Sequence, residues 1–173
     1  MTSTTEFDTV MLAARVIVGV VIFLHGYNKV FRGGKIAGTA SWFEGLGMRP
    51  NGRIHAYAAA TTELGAGVLL CLGLLTPLAA AGVIGICTVA ARTDHRGAFF
   101  MFKNGWEYVF VLGAFAAVIG ALGPGAWSLD AATGLDEILN VGWRGLLIAL
   151  VPGLGLGIAT ILLFWRPPEA TSD

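Results

Sequence analysis

The stretch AYAAATTELGAGVLLCLGLLTPLAAAGVIGICTVAA, residues 56–91, carries one charge, Glu63, and its reading decides what kind of protein this is. As one helix at 1.5 Å per residue it would be roughly 54 Å long, against roughly 30 Å of hydrocarbon in a bilayer. It must therefore fold back. The segment GLLTP at 73–77 supplies the turn, because glycine weakens the first helix and proline starts the second. Two antiparallel spans result, near Ile54–Leu75 and Pro77–Arg92, the latter rather short.

Three further spans lie outward of this pair. Val10–Phe31 is apolar apart from Arg15, His25 and Lys29. Asn104–Leu122 has Glu107 near its start and the Gly123-Pro124-Gly125 break behind it. Gly145–Trp165 ends at Arg166-Pro167-Pro168, and its PGLGLG stretch at 152–157 predicts the least regular helix of the set. The first span reads as a retained helix and not as a signal peptide, since Met1–Asp8 has no basic residue and Arg15 interrupts the apolar run. The fold class is therefore an all-α integral membrane bundle. Four core transmembrane helices occupy residues 8–123; an extramembrane loop, a fifth C-terminal transmembrane helix and a short tail occupy 124–173.

The first loop has structure of its own. Ile36, Ala40 and Phe43 recur at helical spacing, Ser41 and Glu44 fit a capping box, and Gly47 and Pro50 are stop signals. With Trp42 beside Phe43, this predicts a short helix in the membrane interface.

Composition agrees with the spans. Of 173 residues 55% are hydrophobic and 13% charged, about half the roughly 25% charge of soluble domains, and mean hydropathy is +0.74. These values exclude a soluble globule, a disordered chain and a disulfide scaffold. Eleven basic residues offset eleven acidic ones, so no net field exists to attract nucleic acid; the lipid bilayer is the principal partner. Loop charges orient the chain in the cell membrane. Arg32, Lys35, Arg49 and Arg53 in the first loop, with Arg96 and Lys103 in the third, predict an external N-terminus and a cytoplasmic C-terminus.

Ionisable residues within spans cost about 2.5–3.5 kcal/mol at mid-helix on insertion scales, so they mark candidate sites. Counting depth along the helices predicts an intramembrane ion pair between Arg15 and Glu63. It also predicts a polar pocket of His25, Lys29, Asn104 and Glu107 near the inner boundary, walled by the aromatics Tyr27, Trp106 and Tyr108. Donors beside flat apolar walls suit a quinone headgroup. For both groups the alternative is a set of ion pairs that fix helix register. A bis-histidine haem is disfavoured, because of His25, His55 and His95 only His25 lies clearly within a span. A surface metal site of His55, His95 and Asp94 matches no known spacing, and no metal is expected. Cys71 and Cys87 are offset by roughly 12 Å along their helices, too far for a disulfide. No Ser/His/Asp constellation, phosphate loop or dinucleotide fingerprint occurs, so no catalytic residue is assigned.

Four segments in order, Arg15–Gly19–Phe23 leading into HGYNK (25–29), WFEGLGMRP (42–50), ELGAGVLLCLGLLTPLA (63–79) and NGWEY (104–108), give residues 8–122 a pattern that resembles DoxX-family membrane proteins. The resemblance implies a four-helix bundle acting as a subunit of a membrane redox or respiratory assembly. Quinone, other membrane subunits and soluble oxidoreductases are the implied partners, and a non-catalytic scaffold or assembly factor is the alternative. Arg15, His25, Lys29, Glu63, Asn104 and Glu107 are motif positions of that resemblance. The fifth span departs from the four-helix pattern and reads as a docking helix.

Overall fold

The computed structural model describes residues 4–167. Residues 1–3 and the tail from 168 onward, including Pro168 of the predicted closing motif, lie outside the described residues. The chain forms α1 (Thr4–Phe31), α2 (Lys35–Gly45), α3 (Gly52–Leu72), α4 (Thr76–Thr93), α5 (Glu107–Leu122), α6 (Leu129–Thr133), α7 (Asp136–Leu139) and α8 (Arg144–Phe164), with a 3₁₀ turn at Met101–Lys103. It is an all-α membrane bundle. Among the described residues α1, α4 and α8 are long and apolar enough to cross a membrane, and α5 is a shorter apolar helix. α3 has the length, 21 residues, but Arg53, His55 and Glu63 reduce its apolarity. It is instead packed against α1, α2 and α4.

The turn at 73–77 forms as its residues require. Gly73 ends α3 in the left-handed region at φ 62°, where glycine has no Cβ penalty. The Leu74 amide donates to Leu69 O at 2.9 Å and the Gly73 amide to Leu70 O at 3.1 Å, the paired bonds of a Schellman cap. α4 then starts at Thr76 with Pro77 in its first turn. Its leading amides are satisfied from a distance: Leu75 N and Thr76 N donate to the two Asp130 carboxylate oxygens at 2.7 and 2.9 Å. Asp130 is fully buried. The sequence presents it only as a loop charge.

Small residues set the helix contacts. A Cβ on Gly19 of α1 would fall 2.8 Å from Gly67 O, and one on Gly67 of α3 would fall 2.7 Å from Gly19 O. The two backbones therefore touch, as small-residue interfaces in membranes allow. α8 packs along α4 and α5. Its PGLGLG stretch, expected to be irregular, is instead part of a continuous helix with Pro152 inside it. Those glycines seat α8 on α4: a Cβ on Gly153 would lie 2.9 Å from Ala81 O, and one on Gly157 would lie 2.8 Å from Thr88 Cβ. The fifth helix is thus built into the bundle.

α2 begins at Lys35 behind Gly34, so Ser41 caps nothing and the predicted capping box does not form. Glu44 instead accepts from Gly52 N at 3.2 Å. The same loop clasps the end of α8. Met48 and Trp165 form an antiparallel bridge, Arg49 N donates to Phe164 O at 2.7 Å and Arg166 N to Gly47 O at 2.9 Å. The antiparallel packing gathers Arg32, Lys35, Arg49, Arg53, Arg92, Arg96, Lys103 and Arg166 at one end of the bundle, called here the basic end. Asp8, Asp130, Asp136 and Glu137 lie at the other.

Candidate functional site

The α1–α3 register decides which intramembrane charges meet. A Cβ on Gly26 would fall 2.9 Å from the Leu64 backbone nitrogen and 3.0 Å from Glu63 Cβ, so Gly26 is level with Glu63. Lys29, one turn further along α1, reaches the carboxylate: its Nζ lies 2.8 Å from both Glu63 oxygens. The Glu63 side chain is 3% exposed and that of Lys29 16%. Arg15 is eleven residues before Gly26, roughly 16 Å along the axis, and it does not meet Glu63.

The predicted Arg15–Glu63 pair is therefore corrected. Arg15, fully buried, donates from its Nη atoms to Leu70 O at 3.2 Å and Trp127 O at 2.6 Å. It lies beside Gly73, where a Cβ would collide with its guanidinium. A cation at the carbonyl end of α3 is favourable because the orphan carbonyls there carry partial negative charge. Arg15 thus ties α1 to the α3–α4 turn and to the loop before α6.

The expected group of His25, Lys29, Asn104 and Glu107 is likewise divided. His25 Nε2 and Tyr108 Oη lie 3.3 Å apart, joining α1 to α5. Lys29 is turned to Glu63. Glu107 Oε2 accepts from Met101 N at 3.1 Å and folds its own loop back. Asn104 is exposed and occupies a left-handed turn position at φ 54°. Tyr27 rests against Phe31 at 4.7 Å between ring centroids. Trp106 packs edge-on to Phe99 and Phe110 at 4.8 and 5.6 Å. Of the three predicted wall aromatics, only Tyr108 contacts a member of the group, His25.

A different cavity has the composition expected of a binding site. It holds about 400 Å³ and is lined by α2, α3, α4 and α8, within the range of small-molecule pockets. α4 packs against both α3 and α8 and forms the floor of the groove through Ala81, Gly82, Gly85 and Ile86, while Ala58, Ala59 and Thr62 of α3 and Pro152, Leu156 and Thr160 of α8 form its walls. Trp42, Phe43, Met48 and His55 close it towards the basic end, and the Lys29–Glu63 pair provides its ionic groups. The His55 ring is held in place, Nε2 donating to Arg49 O at 2.7 Å and the ring meeting Phe164 edge-on at 5.5 Å.

The pair gives the groove a defined chemistry. An ammonium is a donor only, and a carboxylate an acceptor only. Together they can donate to a ligand carbonyl or accept from a ligand hydroxyl, with no net charge left in the bilayer. Sequence reasoning singled out Lys29 and Glu63 but not the groove. Its available signal was the run of small residues on two adjacent spans, Ala58–Ala60 and Ala79–Gly82, which leaves unfilled space between helices.

Cys71 and Cys87 are free thiols, the latter buried. Among the described residues no group of three or more His, Cys, Asp or Glu side chains is gathered to hold a metal. His95 lies 3.4 Å from Asp94, while His55 is engaged with Arg49 O.

Comparison with known proteins adds two findings. The DoxX family profile matches residues 10–96. The chain is also 35% identical over 109 residues to the "Putative oxidoreductase CatD" of Bacillus subtilis (strain 168), covering 62% of this chain and 75% of that protein. No solved structure matches.

Proposed function

The chain belongs to the DoxX family, and from that premise we propose that it is an integral membrane subunit of a redox assembly that holds a quinone in the α3–α4–α8 groove. The observation that carries this reading is the Lys29–Glu63 pair, its carboxylate buried, in the wall of an otherwise mainly apolar cavity of about 400 Å³. A quinone ring needs flat apolar surfaces and a donor for its carbonyl, and a quinol hydroxyl needs an acceptor. The groove offers Trp42 and Phe43, the Lys29 ammonium and the Glu63 carboxylate in those roles. The oxidoreductase name of the Bacillus relative agrees with a redox setting.

In this reading the subunit positions the headgroup, and a soluble oxidoreductase docks at the basic end. By the positive-inside rule that end faces the cytoplasm and the N-terminus faces outward. α8 lines the groove, so it contributes to the site as well as offering an outer face to other subunits.

The test is extraction of lipids from detergent-purified protein, with quinone quantified by mass spectrometry. Wild type is expected to retain quinone. Lys29→Met, and Ala58→Phe, which fills the groove from its α3 wall, are expected to lose most of it. An absence of quinone from wild type, or its equal retention in a folded Ala58→Phe variant, refutes the reading. If wild type holds no quinone yet copurifies with a redox enzyme, the assembly role stands as a scaffold.

A further inference from the structure

At the basic end Trp165 lies under two arginines. The Arg92 guanidinium carbon is 4.7 Å from the indole centroid and that of Arg96 is 5.6 Å away. Trp165 is itself 8% exposed and fixed by its Nε1–H, which donates to Leu46 O at 2.9 Å. The ring is thus a rigid platform for both cations. Stacking occupies the flat face of a guanidinium and leaves its in-plane N–H donors free.

Those donors have no acceptor among the described residues. Neither Arg92 nor Arg96 has a carboxylate within ion-pair distance or a side-chain hydrogen bond, and both are exposed. Asp94, between the two arginines in sequence, is turned to His95 at 3.4 Å. Arg166, which follows Trp165, is turned instead to the end of α8, hydrogen-bonded to Leu162 O at 3.2 Å and Trp165 O at 2.8 Å. Like charges gathered on one indole repel each other, and an anion held between them relieves that repulsion.

Its place in the fold identifies the anion. Arg92 and Arg96 stand where α4 leaves its apolar run, and Trp165 follows the last turn of α8. Along that turn Leu162 and Leu163 are 70% and 64% exposed. An apolar face ending in paired guanidiniums fits an amphiphile whose chains lie along α8 and whose phosphate sits at the arginines. We propose that Arg92, Arg96 and Trp165 form a binding site for the phosphate of an anionic phospholipid. Each guanidinium contributes bidentate N–H donors to phosphate oxygens. This site is independent of what occupies the groove.

The test is native mass spectrometry of the full chain in detergent, titrated with phosphatidylglycerol and phosphatidylcholine of identical acyl chains. Polybasic contacts contribute about 1 kcal/mol per residue near a membrane surface, so the two arginines predict a preference for phosphatidylglycerol of roughly tenfold or more. Arg92→Gln/Arg96→Gln is expected to abolish the preference, Arg92→Lys/Arg96→Lys to retain part of it, and Arg144→Gln at the opposite end to leave it intact. Should the double glutamine variant fail to fold, Arg96→Gln alone, whose side chain is the more distant from the ring, is expected to lower the preference severalfold. Inorganic phosphate at the same concentration is expected not to displace the lipid. Equal binding of the two lipids, an unchanged preference in the folded Arg96→Gln and double variants, or displacement by phosphate alone overturns the proposal. So does binding of an acidic soluble protein that excludes phosphatidylglycerol from the site.

Discussion

Replacing Lys29 by Met removes one half of the buried pair while keeping the length and apolar stem of the side chain. Both Glu63 oxygens lie 2.8 Å from the ammonium. At that distance and an effective dielectric of about 20, the Coulomb attraction is about 6 kcal/mol. Desolvation of both groups offsets much of it, but only while both are present. Removing one partner strands a carboxylate that is 3% exposed, and breaking such a pair costs about 3–5 kcal/mol. For a chain of this length that is a fall of roughly 10 °C in unfolding midpoint. Lys29→Met/Glu63→Leu leaves no orphan charge and is expected to recover most of the loss.

The assay is thermal unfolding of the detergent-solubilised protein followed by tryptophan fluorescence, arranged as two double-mutant cycles. The Lys29/Glu63 cycle is expected to show coupling of about 3 kcal/mol or more, at the upper end of the range for residues in contact. The Arg15/Glu63 cycle is expected to be additive within about 0.5 kcal/mol, since those groups are separated along the helices by more than two turns. Coupling in the Arg15 cycle, or additivity in the Lys29 cycle, would refute the register argued from Gly19, Gly26 and Gly67.

Gly67→Leu drives a side chain into the Gly19 backbone and is expected to abolish a monodisperse size-exclusion peak, whereas Gly65→Leu, where a Cβ meets nothing within 4 Å, is expected to elute like wild type. Asp130→Ala removes two charge-assisted bonds to the start of α4, each of which contributes about 1.5–3 kcal/mol; hydrogen exchange at Leu75 and Thr76 is expected to rise by more than tenfold, and unchanged protection would show that the cap is not made in solution.

Much of the bundle was legible because a bilayer leaves few choices. The Ala56–Ala91 stretch had to fold at Gly73, the only way to fit it into the hydrocarbon with its backbone hydrogen bonds made, and α3 and α4 meet there. Apolar length placed α1, α5 and α8, and helical spacing placed α2. The contacts were less legible. Depth counting treated each helix as a ruler with an uncertain zero. An error of one or two turns in that zero was enough to give Glu63 to Arg15 in place of Lys29. The true register follows from where two glycine backbones touch, and a sequence does not say which of its glycines face each other. Asp130 shows the same limit: it reads as a loop charge, and only the return of residues 124–130 over the α3–α4 turn makes it a helix cap.

The sequence by itself determined that this is a membrane bundle, which segments form its long helices, and which few polar residues are costly enough to matter. Hydrophobic length and turn chemistry are local properties, readable one segment at a time. Which cation meets Glu63, whether the fifth helix joins the bundle, and where a ligand-sized space is left were decided by the tertiary structure. Each of these depends on the relative register of segments far apart in the chain, and that register is set by close backbone contact between helices.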